Sequence, residues 1–93
     1  MAYALEVHRR ARRFLEDLAR GSPADCERIE AAIDGLVVDP RPPGAVKLRG
    51  GGPLWRIRVG GYRVIYSIFD PDQVVNIEYI LRRTTRTYKD IET

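Results

Sequence analysis

Cysteine and histidine each occur once in this 93-residue chain, at Cys26 and His8. A single cysteine cannot close an internal disulfide, and with one distant histidine it cannot build a metal site, so a disulfide scaffold and a metal centre are both excluded. Cys26 falls on the apolar face of a predicted helix, where a thiol serves as a small buried hydrophobe rather than a nucleophile. Long apolar runs are also missing, which excludes a helical membrane span. Met1-Ala-Tyr-Ala-Leu-Glu-Val7 enters a strand-like alternation without the basic region and apolar core of a signal peptide, so a cytoplasmic location is expected. Gly50-Gly51-Gly52 lacks the strand-to-helix setting of a phosphate-binding loop and reads as a turn, and no cofactor is expected.

Lysine is scarce as well: two lysines stand against fourteen arginines. The formal net charge of +3 is unevenly placed, with seven basic and eight acidic residues up to position 46 and nine basic and five acidic from position 47 onward. The N-terminal half is therefore near neutral, and the C-terminal half carries the positive charge. Such a segment in a chain with a pI near 9.4 fits a nucleic-acid partner drawn in by phosphate electrostatics. The length suits one domain, residues 1–93, with a single modest core.

Tyr3, Leu5 and Val7 predict a short first strand. Ala11, Phe14, Leu15 and Leu18 recur at helical spacing, predicting a helix from about Arg9 to Arg20 that Gly21 ends. Its start, Arg9-Arg10-Ala-Arg12-Arg13, opposes the helix dipole and reads as a solvated face. Ser22-Pro23 predicts a second helix with serine as N-cap and proline at the first helical position, running to about Leu36 with Cys26, Ile29, Ile33 and Leu36 as its apolar stripe. The short link makes the two helices an antiparallel hairpin able to cover one sheet face. Asp39-Pro-Arg-Pro-Pro-Gly44 is a loop.

Leu54 to Tyr66 then predicts a β-hairpin turning at Gly60-Gly61, which pairs Val59 with Tyr62, Ile57 with Val64 and Trp55 with Tyr66 on an apolar face. Arg56, Arg58 and Arg63 fall on the opposite face, Arg58 directly across from Arg63, a destabilising placement unless an anion binds there. Asp70-Pro-Asp-Gln73 predicts the next turn, pairing Ile68 with Val75, Tyr66 with Ile77, Val64 with Tyr79 and Tyr62 with Leu81. That register adds Asn76, Glu78, Ile80 and Arg82 to the arginine face and places Trp55, Tyr62, Tyr66 and Tyr79 in the core. The expected fold is α+β: an N-terminal strand, a helical hairpin on one face of a small antiparallel sheet, and a short C-terminal tail.

Arginine stays protonated above pH ~12, so its roles are to grip phosphate and to stabilise developing charge. Phosphoryl chemistry without a metal follows as the expectation. Tyr88, on a tail that could fold back over the sheet, becomes a general base if guanidinium groups lower its pKa; a tail-pinning aromatic is the alternative. Lys47, Arg49, Arg83 and Arg86 are further candidate RNA contacts.

Leu36-Val-Val-Asp-Pro40, Lys47-Leu-Arg-Gly50, Trp55-Arg-Ile-Arg-Val-Gly-Gly-Tyr-Arg-Val-Ile-Tyr66, and Arg82-Arg83 ahead of Tyr88 together resemble the RelE/ParE superfamily of toxin–antitoxin toxins over nearly the whole chain. In the RelE branch the resemblance implies an endoribonuclease that enters the ribosomal A site and cuts mRNA by attack of a ribose 2′-hydroxyl on the adjacent phosphate. It implies that Arg56 and Arg58 orient substrate where relatives often have lysines, that Arg63 binds the scissile phosphate, that Arg82, or Arg83 if the register shifts, assists leaving-group departure, and that Tyr88 is the base. A cognate antitoxin is the implied partner, beside ribosome and mRNA. A ParE-like toxin that poisons DNA gyrase is the alternative, less favoured because such chains generally lack the full basic-plus-tyrosine set.

Overall fold

In a computed structural model, which describes residues 2–50 and 52–83, the alternation of Tyr3, Leu5 and Val7 becomes strand β1 (Ala4–Val7). Helices α1 (Arg9–Gly21) and α2 (Pro23–Val38) follow, then strands β2 (Val46–Lys47), β3 (Leu54–Val59), β4 (Tyr62–Phe69) and β5 (Val74–Arg82). The strands form one sheet in the order β1-β5-β4-β3-β2. Three neighbouring pairs are antiparallel, but β1 runs parallel to β5, so the sheet is mixed rather than antiparallel as expected. The connection that makes this possible is the helical hairpin itself, which carries the chain from the β1 edge across one sheet face before β2 begins.

His8 is the joint between sheet and helix. Its backbone N–H donates to the Ile77 carbonyl (2.8 Å), its carbonyl accepts the Arg12 N–H (3.0 Å), and its Nδ1 accepts the Arg10 N–H (3.2 Å), an N-cap built from imidazole. At the other end of α1, Ser22 ends one helix and starts the next: its N–H reaches Leu18 O (2.7 Å) and its carbonyl accepts Cys26 N–H (3.1 Å). The Ser22 side chain makes no capping bond, contrary to the sequence expectation, and Pro23 at the first helical position supplies the start signal.

Ala11 and Leu18 from α1, and Cys26, Ile29, Ile33 and Leu36 from α2, meet Ile57, Tyr62, Val64, Tyr66, Val75, Ile77 and Ile80 of the sheet in one core. Each large aliphatic side chain so buried contributes about 1.5–3 kcal/mol. Cys26 is indeed a buried hydrophobe, its thiol pKa raised first by burial and then by Glu30 and Glu27. Tyr66 is fully buried and donates its hydroxyl to the Pro40 carbonyl (2.7 Å), fixing the loop that leaves α2. Alongside it, Arg41 grips Asp70 through Nη2 to Oδ2 (2.9 Å), Tyr3 donates to Asp70 Oδ1 (2.8 Å), and the Arg41 guanidinium lies 5.3 Å from the Trp55 ring centre. Arg41 first, and then Tyr3, hold the Asp70 carboxyl below its ordinary range.

Burial raises the Tyr66 pKa from 10.0 to about 12, with Arg41 opposing and Asp39 reinforcing the shift. A raised native pKa means the stability it brings is full below about pH 10, where the unfolded phenol begins to ionise, and is lost as pH climbs towards about 12. Tyr66→Phe is expected to cost about 1–2 kcal/mol at neutral pH by orphaning the buried Pro40 carbonyl. The same variant should flatten the alkaline loss of stability, which denaturant unfolding across that pH window measures.

Candidate nucleic-acid interface

Gly60, at φ 58°, turns the β3–β4 hairpin, and the observed register pairs Val59 with Tyr62, Arg58 with Arg63, Ile57 with Val64 and Trp55 with Tyr66. Every one of these pairs is the one the alternation predicts. The face away from the helices therefore carries Arg56, Arg58 and Arg63. Arg56 and Arg63 are only 9% and 8% exposed, unusual depth for guanidinium groups, which stay charged even when buried. Arg63 donates Nη1 to the Tyr62 carbonyl (3.1 Å). Arg58 is exposed and, among the described residues, takes part in none of the four ion pairs, which are Arg10–Glu78, Arg20–Asp17, Arg28–Asp25 and Arg41–Asp70.

The β4–β5 register departs from expectation halfway along. Ile68–Val75 and Tyr66–Ile77 pair as predicted, but a β-bulge then makes Glu78 an extra residue, so that Tyr79 faces Ile65, Ile80 faces Val64, Leu81 faces Arg63 and Arg82 faces Tyr62. Beyond the bulge each β5 side chain changes sides. Ile80, expected among the arginines, is 3% exposed in the core, while Tyr79 leaves the helix face. Arg82 is likewise corrected: it does not share a face with Arg56, Arg58 and Arg63. Its guanidinium lies on the helix side, 5.9 Å from the Phe14 ring centre and 5.4 Å from that of Tyr62, whose hydroxyl it contacts at 3.2 Å. By strand alternation the arginine face passes to Arg83, whose N–H donates to Gly61 O (2.8 Å).

Arg10 secures the bulge. The sequence reading treats it as one of a solvated run, yet its Nε donates to the Glu78 carbonyl (2.8 Å), its Nη2 lies 3.5 Å from Glu78 Oε1, and its guanidinium stacks 3.9 Å above the Tyr79 ring. Ser67 Oγ donates to the other Glu78 carboxylate oxygen (3.1 Å). Strand β1 ends at Val7, so β5 has no neighbouring strand there and Arg10 takes up the carbonyl instead. Nothing local to Arg10 in the sequence announces this contact, because it depends on a partner 68 residues away.

Of the remaining candidates, Lys47 and Arg49 are exposed. Lys47 pairs with Trp55, which gives it the helix-side parity on the edge strand, and Val46 takes the position beside Arg56. Tyr88 and Arg86 lie outside the described residues. Among the described residues no group of three or more His, Cys, Asp or Glu side chains could hold a metal ion, and no helix is long and apolar enough to cross a membrane.

A helical hairpin on a five-stranded mixed sheet, with arginines on the open face, defines a small basic α+β class, and comparison with known proteins places the chain within it. The family model of the ParE toxin of type II toxin–antitoxin systems matches residues 5–86. The chain is similar to the toxin RelE1 of Methanocaldococcus jannaschii, 29% identical over an alignment of 86 residues that covers 89% of this chain and 92% of that one. Among solved structures, the archaeal RelE–RelB complex of Pyrococcus horikoshii OT3 matches with TM-score 0.77 and 32% identity, covering 91% of this chain and 99% of its own. The RelBE2 toxin–antitoxin complex of Mycobacterium tuberculosis matches with TM-score 0.74 and 27% identity over 89% of this chain and 100% of that chain. This chain belongs to the RelE/ParE superfamily of toxins of type II toxin–antitoxin systems.

Arg58→Ala removes a like charge directly across the strand pair, so the expected outcome is a gain of about 0.2–1 kcal/mol in unfolding free energy together with weaker RNA binding. Urea unfolding and an RNA-binding titration check the two signs.

Proposed function

We propose that this toxin is a ribosome-dependent endoribonuclease of the RelE type that cuts mRNA and so stops translation in the cytoplasm. The observation that carries the reading is that Arg56, Arg58 and Arg63 share the sheet face away from the helices, Arg58 directly opposite Arg63, a set of guanidinium forks whose geometry matches phosphate oxygens. RelE proteins among its relatives support the same choice. In this mechanism Arg63 holds the scissile phosphate, while Arg56 and Arg58 orient it and stabilise the charge that builds on its oxygens. The ribose 2′-oxygen forms the new bond to phosphorus and gives its proton to Tyr88, a role that guanidinium charge nearby would support by favouring the phenolate. The bond from phosphorus to the 5′-oxygen breaks, leaving a cyclic phosphate on one fragment, and the departing oxygen takes a proton from water. Arg83, on the face parity that Arg82 vacates, stands on the leaving-group side. Arg49 and Arg86 are auxiliary RNA contacts, and Lys47 reaches RNA only around the sheet edge.

Solved relatives in complex with RelB support a cognate antitoxin as the natural partner of this chain. An acidic antitoxin segment would suit the basic face electrostatically. The gyrase-poisoning alternative follows from the ParE family description, and the retained arginine set with Tyr88 favours RNA.

Purified protein is expected to cut ribosome-bound mRNA with or without chelator. Arg63→Ala or Tyr88→Phe should lower the rate about 100-fold or more, as loss of a group that acts in the transition state does. Primer extension maps the cuts, and a supercoiling assay run beside it tests gyrase. Intact mRNA with inhibited gyrase would reverse the reading.

A further inference from the structure

We infer that the cleft behind the β3–β4 turn, on the opposite side of the sheet from Arg58 and Arg63, is a second RNA site that takes a backbone phosphate. This rests on the reading of the toxin as an RNA-directed enzyme and extends it to a site outside the catalytic face. The cleft has a volume of about 350 Å³ and is walled by the first turns of α2, the Gly60-Gly61 turn and the end of β5. Among the described residues Arg28 and Arg82 line it against a single acid, Asp25, and Arg83, beside the Gly60-Gly61 turn, borders both this cleft and the arginine face.

Arg28 and Arg82 are held in position before any ligand arrives. Asp25 Oδ1 pairs with Arg28 Nη2 at 3.0 Å, and Asp25 Oδ2 accepts the Tyr62 hydroxyl proton at 2.9 Å. The same Tyr62 oxygen accepts from Arg82 Nη1 at 3.2 Å. One carboxylate therefore orients two guanidinium groups, directly and through a phenol, and leaves each with further N–H donors. Among the described residues the Arg83 side chain forms no ion pair or hydrogen bond. The forked geometry of guanidinium donors matches phosphate oxygens.

Continuity with the open face selects RNA over other anions. Val59 and Tyr62 line the cleft, and the next cross-strand pair is Arg58–Arg63. Among the described residues the Gly60-Gly61 turn, which carries no side chain of its own, caps that end of the hairpin, and a Cβ built on Gly60 would meet only Arg28 Nη1, at 3.9 Å. A Cβ built on Gly61 would meet nothing within 4 Å, so a polynucleotide can pass close to the backbone from one face to the other. Basic groups on both sides of a bare turn suit a chain with regularly spaced charges.

The test is fluorescence anisotropy of a short single-stranded RNA oligonucleotide with the full-length protein over a range of salt concentrations. Arg28→Ala is expected to weaken binding and to reduce the slope of log K against log salt by about 0.7, the value of one phosphate contact on a single strand. Arg28→Lys should keep the slope. Arg13→Ala on α1 removes an equal charge away from the cleft and should leave the slope at the wild-type value. Arg28 is exposed, and an unchanged melting temperature confirms that the variant is folded. Equal effects of Arg28→Ala and Arg13→Ala, or no effect of either, would overturn the site, as would binding of oligoglutamate in the cleft with no Arg28 dependence for RNA. Normal mRNA cutting with an Arg28-independent slope sinks this site alone. Absent mRNA cutting with an Arg28-dependent slope supports the site and sinks only the ribonuclease reading.

Discussion

Glu78 is one residue too many for the strand pair in which it lies, and the end of the sheet beside the Gly60-Gly61 turn depends on how that surplus is absorbed. Up to Tyr66–Ile77 the alternation of β5 runs in step with that of β4. Without the extra residue, Ile80 would leave the core and Tyr79 would enter it. The bulge returns Ile80 to a place opposite Val64 and beneath the helices, where both are nearly or fully buried. It also frees a carbonyl that β1, ending at Val7, cannot reach. A buried or half-buried backbone acceptor needs a partner, and Arg10 supplies one from the first turn of α1. The helix start thus has a tertiary reason for a cation that the helix dipole disfavours.

The distribution of acids determines where positive charge remains available. Asp70 is held by Arg41 and Tyr3, Glu78 by Arg10 and Ser67, and Asp17 by Arg20. These pairs are largely solvent-exposed and add little stability individually. Their consequence is spatial: acids are engaged along the helix surface and the far end of the sheet, while Arg58 and Arg83, among the described residues, stand without an acidic partner near the Gly60-Gly61 turn.

The β3–β4 hairpin was legible in the sequence residue by residue, because strict alternation and a diglycine turn leave one register that keeps the apolar face together. The two helices were legible to within about two residues for the same reason, their apolar stripes being unbroken. The parallel pairing of β1 was not, since a four-residue strand carries no pattern that distinguishes parallel from antiparallel neighbours. The bulge left a trace that alternation overrode: Tyr79-Ile80-Leu81 is a run of three apolar residues, and placing Ile80 among arginines was the sign of a phase slip. Arg82 was misplaced with it. Arg10 was illegible as a contact because it acquires its role from a distant element, β5.

Tyr62 links the two groups of arginines physically. Its backbone carbonyl accepts from Arg63 on the open face, while its phenol, buried beneath α1 against Phe14, donates to Asp25 and accepts from Arg82 on the helix side. Tyr62 and Arg63 are consecutive, so their side chains point to opposite faces, and the Arg63 guanidinium turns back to the Tyr62 carbonyl while the Tyr62 ring faces the helices. Any shift of β4 along its axis would disturb both arginine groups together. Core packing of Val64 and Tyr66, both fully buried, resists such a shift. The hydrophobic contact of the sheet with the helical hairpin is thus also what holds the guanidinium groups on both faces, and the binding geometry follows from the core rather than from the loops around it.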